Sequence, residues 1–201
     1  MLKRSQTQMQ YLVIFYNILE AFFAIFFGIL SQSIALISFG LISVIETISN
    51  FIMVRRLRKV LQKKSASIGM ALNKPMVSIA IVSFFGGSWV LIQSLKVLIL
   101  DTPPLRSMAG IIVAFGSLVL MPALTFWFYH NDDSPKSTIK TGFYDIRFYM
   151  LISVSLIFSL CLNYFFGYWK ADPIFSLFIS AFLYKKSFDC VISKGDGGGM
   201  Q

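Results

Sequence analysis

The stretch YLVIFYNILEAFFAIFFGIL-SQS-IALISFGLISVIETISNFIMV, residues 11–54, decides how this chain folds. It holds two apolar runs, Tyr11 to Leu30 and Ile34 to Val54, parted only by Ser31 to Ser33. Each matches the ~20 residues a helix needs to cross a hydrocarbon core. Neither alternates apolar and polar positions as a barrel strand would, and a bare backbone in lipid can only be a helix or part of a closed barrel. The stretch predicts a hairpin of two membrane-crossing helices. Its only charged residues are Glu20 and Glu46. A carboxylate near the bilayer centre costs ~2.5 kcal/mol or more on insertion scales, so each marks a candidate functional position.

Outward from this hairpin, four more runs follow: Met76 to Leu100, Met108 to Tyr129, Phe148 to Gly167 and the shorter Pro173 to Tyr184. The expected fold class is therefore all-α, a polytopic membrane protein with six transmembrane helices. Composition agrees, with 56% of the 201 residues hydrophobic and 13% charged, against ~45–50% apolar and ~25% charged in soluble domains. Pro103 and Pro104 cannot continue a helix, so the third span should stop near Leu100. Residues 1–10 read as a cytoplasmic N-terminus, 11–186 as the membrane domain and 187–201 as a flexible cytoplasmic tail ending in a glycine-rich stretch. Arg55 to Pro75 reads as a basic, solvated and partly helical loop, with no soluble domain in it.

The net charge of +9 would suggest nucleic acid in a soluble protein, but here it follows the loops. With the N-terminus inside, Lys3, Arg4, Arg55, Arg56, Arg58, Lys59, Lys63, Lys64, Lys74, Lys136, Lys140, Arg147, Lys185, Lys186 and Lys194 all fall on the cytoplasmic side. Only Arg106 and Lys170 fall outside, and Lys96 lies within a span. The positive-inside rule then places both termini in the cytoplasm. The basic run also suits anionic lipid heads. Cys161 and Cys190 sit at different depths, which argues against a disulfide.

Glu20 and Glu46 both fall near mid-membrane if their helices run antiparallel. Asn17 precedes Glu20 by three residues and Asn50 follows Glu46 by four, so each amide shares a helix face with its carboxylate. Ser38 and Ser49 either extend this polar stripe or serve helix packing. Such an oxygen-rich stripe can hold a metal or protons, or can simply tie helices together. Asp145 opens the fifth span, as a dipole-favoured carboxylate or as an inner-side ligand. His130, Asp132 and Asp133 cluster between spans four and five, as a solvated loop or as a cation mouth. No Walker loop, nucleophile elbow, His-Glu-x-x-His helix or Cys-x-x-Cys pair is present, so no enzyme is expected.

Tyr16-Asn17-x-x-Glu20-Ala21, Gly28, Ser33-Ile34-Ala35-Leu36, Phe39-Gly40-x-x-Ser43-x-x-Glu46 and Ser49 together resemble the cation diffusion facilitator superfamily, in its short bacterial branch lacking the cytoplasmic domain. Gly167-Tyr168-Trp169-Lys170-Ala171-Asp172-Pro173 resembles the turn into that family's sixth helix, and Met121-Pro122 is a weaker echo. The resemblance implies a dimeric six-helix carrier in the bacterial inner membrane. It would export a divalent cation, commonly zinc, against protons, from a site between the second and fifth helices. Glu46 carries over directly as a metal ligand. The family's acidic residue four positions earlier is replaced by Ile42, and the expected ligand positions on the fifth helix fall around Ile146 to Met150, with Asp145 the nearest carboxylate. The expected metal set is thus Glu46, Asp145 and Glu20, supported by Asn17 and Asn50, with no resident cofactor and no nucleic-acid partner. Two alternatives stay open: a non-transporting relative that partners or regulates another membrane protein, which Ile42 favours, and a proton-coupled exporter of organic cations.

Overall fold

The computed structural model describes the backbone of residues 2–62, 73–130 and 136–196, and the side chains of residues 11–52, 77–124, 126 and 149–191. It is all-helical there: α1 Leu2–Ser31, α2 Ile34–Gln62, α3 Asn73–Ile99, α4 Met108–His130, α5 Lys136–Phe166 and α6 Ala171–Asp196. The stretches Tyr11–Ser31, Ile34–Ile52, Val77–Ile99 and Tyr149–Phe166 are long and apolar enough to cross a membrane, and Met108–Leu124 is a shorter apolar helix.

The α1–α2, α3–α4 and α5–α6 turns gather at one end of the bundle, hereafter the turn end. Two of them close by the same device, in which an N–H just past the helix reaches back over its last turn. Ser33 N bonds Gly28 O at 3.0 Å and Tyr168 N bonds Leu162 O at 3.1 Å. The left-handed residue this requires is Gly167 at φ 67° just after α5 and the unusual non-glycine Gln32 at φ 56° just after α1. The turns also hold each other. Leu105 N donates to Ser31 O at 2.7 Å, and Asn163 Nδ2 donates to Pro104 O at 3.3 Å.

Asp172 joins α6 to the start of α2. It is 1% exposed, accepts a short hydrogen bond from the Ser33 hydroxyl, and accepts the backbone N–H of Ala35 at 3.1 Å. A carboxylate from one helix thus caps the N-terminus of another, where orphan amides and the helix dipole favour negative charge. It stands just ahead of the sixth span, and burial pushes its carboxyl up to about 6 against the lowering pull of the Ser33 hydroxyl and the Ala35 amide.

Small residues set the helix spacing. A Cβ on Gly28 would meet Ile37 Cγ1 at 2.7 Å, and one on Gly40 would meet Ile25 Cγ1 at 2.7 Å, so α1 and α2 approach as closely as glycine allows. Gly87 plays this part between α3 and α6, where its carbonyl also accepts the Ser180 hydroxyl at 2.9 Å. The core around α2 contains Leu36, Phe39, Ile42 and Ile45, packed with Val90, Leu156, Ile179 and Leu183. Phe15, Phe22, Phe26 and Ile29 of α1 point outward as an apolar stripe suited to lipid. Ser38 and Ser49 donate to the carbonyls of Ile34 and Ile45 one turn back, at 2.6 and 2.8 Å, which satisfies their hydroxyls within their own helix.

One boundary is corrected. The flexible tail expected from residue 187 is helical through Asp196, because α6 keeps packing after its charged turn. Ser187 is buried with its hydroxyl donating to Ala80 O at 2.8 Å, and Cys190 lies against the core. Helix likewise runs further into the basic loop than a solvated segment implies, with α2 reaching Gln62 and α3 starting at Asn73.

Candidate cation site

The inward stripe of α1 runs Ile14, Asn17, Glu20 with Ala21, Ala24 and Gly28, a spacing of three and four residues that one helix face requires. Glu20 is 4% exposed on that stripe, and a carboxylate so deeply buried needs donors. Three elements supply them. Tyr16, one turn earlier in α1, donates its hydroxyl to Oε1 at 3.2 Å. Ser43 of α2 donates to Oε2 at 2.8 Å, and Tyr149 of α5 donates a short hydrogen bond to the same oxygen. Ser43 Oγ and Tyr149 OH are themselves 3.2 Å apart. The Tyr149 ring lies beside Phe39, with centroids 5.9 Å apart, which fixes the direction of its hydroxyl.

Glu46 lies one turn from Ser43 on α2 and is half-buried. Glu46 follows Ser43, the α2 partner of Glu20, by three residues and so shares its helix face. The two carboxylates therefore lie within a turn of one another at the junction where α1, α2 and α5 meet on Glu20. Ile42, at the position where a second α2 carboxylate was expected from the resemblance, is 1% exposed and belongs to the apolar core. Asn17 is fully buried on α1 and Asn50 half-buried on α2. Asp145 lies in α5 and His130 ends α4, but their side chains are outside the described residues, as are Asp132 and Asp133 altogether. Among the described residues, no three of His, Cys, Asp and Glu form a metal-holding group.

Ser43, Tyr16 and Tyr149 are the partners that sequence reading did not assign. Tyr16 had a signal, its spacing of four from Glu20 on one helix. Ser43 had only its place in the family-like motif and Tyr149 only its place among the expected fifth-helix positions; that both meet Glu20 follows from the tertiary fold.

A buried carboxylate at a three-helix junction of an all-helical membrane domain marks a functional position. The family model described as the cation efflux transmembrane domain matches residues 11–196. The chain belongs to the cation efflux family, whose class is that of metal cation transporters. Comparison with curated proteins gives no significant match.

Proposed function

We propose that the protein exports a divalent metal cation, zinc being the cargo the family resemblance suggests, in exchange for protons by alternating access. The observation that carries the reading is the buried Glu20 carboxylate bonded from α2 and α5, with Glu46 one turn along α2 from its partner Ser43. Glu46 serves as ligand, Glu20 as the second carboxylate and Asp145, one turn before Tyr149 on α5, as the ligand nearer the termini. Two carboxylates balance a divalent charge, and in the cation's absence the hydroxyls of Ser43, Tyr16 and Tyr149 satisfy Glu20. Exchange follows because a cation and protons compete for the same oxygens. The carrier acts as a homodimer in the bacterial inner membrane, with both termini cytoplasmic.

Uptake of zinc, manganese, cobalt, iron and nickel into proteoliposomes tests this. Uptake of at least one, lost in Glu46→Gln, is expected. The packing of Ile42 at a ligand position favours a second reading, a family member retained as a membrane partner without transport. Absence of uptake together with absence of metal binding in detergent would select it.

A further inference from the structure

Asn17 is fully buried, and neither its side-chain nitrogen nor its oxygen has a hydrogen-bond partner. A buried amide left unpaired is costly and calls for an explanation. Its position supplies one. Around α1, at ~100° per residue, Asn17 falls between Glu20, which points to the α2–α5 junction, and Ala21 and Gly28, which press on α2. Along the hairpin, Gly28 lies against Ile37, Ile25 against Gly40, and Glu20 is bonded to Ser43. Continuing that antiparallel register brings Asn17 beside the turn of α2 that starts at Glu46. The register thus sets the orphaned amide on the α2-facing side of α1, one turn from Glu20 and level with the turn of Glu46.

We infer that Asn17 Oδ1 is a ligand to the transported cation, completing on α1 the coordination that Ile42 does not offer on α2, and that the site takes a hard, oxygen-seeking divalent cation of the manganese or magnesium type. The inference rests on the carrier reading above. The donors at the junction are two carboxylates, an amide oxygen and the Ser43 and Tyr149 hydroxyls, which is the set that hard cations use. No cysteine or histidine lies on α1 or α2, and Cys161 is ~18 Å along α5 from Tyr149 at ~1.5 Å per residue.

Manganese binding to the purified full-length chain in detergent, followed by the loss of the free-ion paramagnetic resonance signal, tests it. One site per chain is expected, weakened at least tenfold in Asn17→Ala. Asn17→Cys is the decisive variant, because a thiolate in the coordination sphere should raise cadmium affinity at least tenfold, which no packing role would do. Unchanged cadmium affinity in a folded Asn17→Cys protein, or unchanged manganese affinity in Asn17→Ala, overturns the inference and leaves the carrier reading intact. A wild-type chain that binds and transports no divalent cation removes both.

Discussion

Tyr149 of α5 donates its hydroxyl to Glu20 of α1, tying together two helices that are remote in sequence at a buried carboxylate. That bond, with the Ser43 hydroxyl at 2.8 Å on the same oxygen, makes the α1–α2–α5 junction one polar unit rather than three separate features.

Removing the Tyr149 hydroxyl should therefore cost stability as well as function. Tyr149→Phe keeps the ring beside Phe39 and strips one donor from a buried carboxylate, a loss of about 1–3 kcal/mol. A lowered thermal midpoint in detergent is expected, larger than that of Tyr16→Phe, because Tyr16 makes the longer bond from the same helix.

Gly40 tests the closeness of α1 and α2. A valine there would drive its Cβ into Ile25 Cγ1 and against Ala21 O, which stands at 3.2 Å, and the backbone contact cannot give way. Gly40→Val should destabilise by about 1–3 kcal/mol. Gly116→Ala, whose Cβ meets nothing within 4 Å, is the control and should leave the midpoint unchanged or raise it slightly, since alanine favours a helix over glycine.

The six helices were legible in the sequence as apolar runs, four of them long enough to cross a membrane, and the third ended at Ile99, close to where Pro103 and Pro104 required. Glu20 and Glu46 were legible as outliers in those runs. What local sequence could not give was who meets whom. Ser43 stands only as part of the family-like motif, Tyr149 only within the expected fifth-helix ligand positions, and Ser187 at the start of a tail, until α1, α5 and α3 are packed against them. Asp172 was visible as part of the turn into the sixth helix, while its capping of α2 depends on contacts with Ser33 and Ala35 across the bundle.

Asp172 gives the fold a pH dependence whose sign follows from its burial. Its folded-state value of about 6 exceeds the ordinary unfolded value near ~3.9, so the folded chain holds the proton more tightly. This contribution to stability is fully present below pH ~4 and is lost as pH rises through about 6. Asp172→Asn should flatten the thermal midpoint across that window, as measured by melting in detergent between pH 4 and 7.

Ile42→Asp would restore an acidic residue at a position now 1% exposed in the core. A carboxylate placed there without a partner destabilises the apo protein. Manganese or zinc should recover the lost midpoint by binding the folded state. A variant that melts early and gains nothing from either metal would place residue 42 away from the cation.

The most direct test of the central claim is proton flux driven by a cation gradient in proteoliposomes carrying an internal pH dye. Zinc or manganese added to one side should move protons the other way in wild type and not in Glu46→Gln. Equal flux in the two proteins, or cation uptake without any proton movement, would contradict the account.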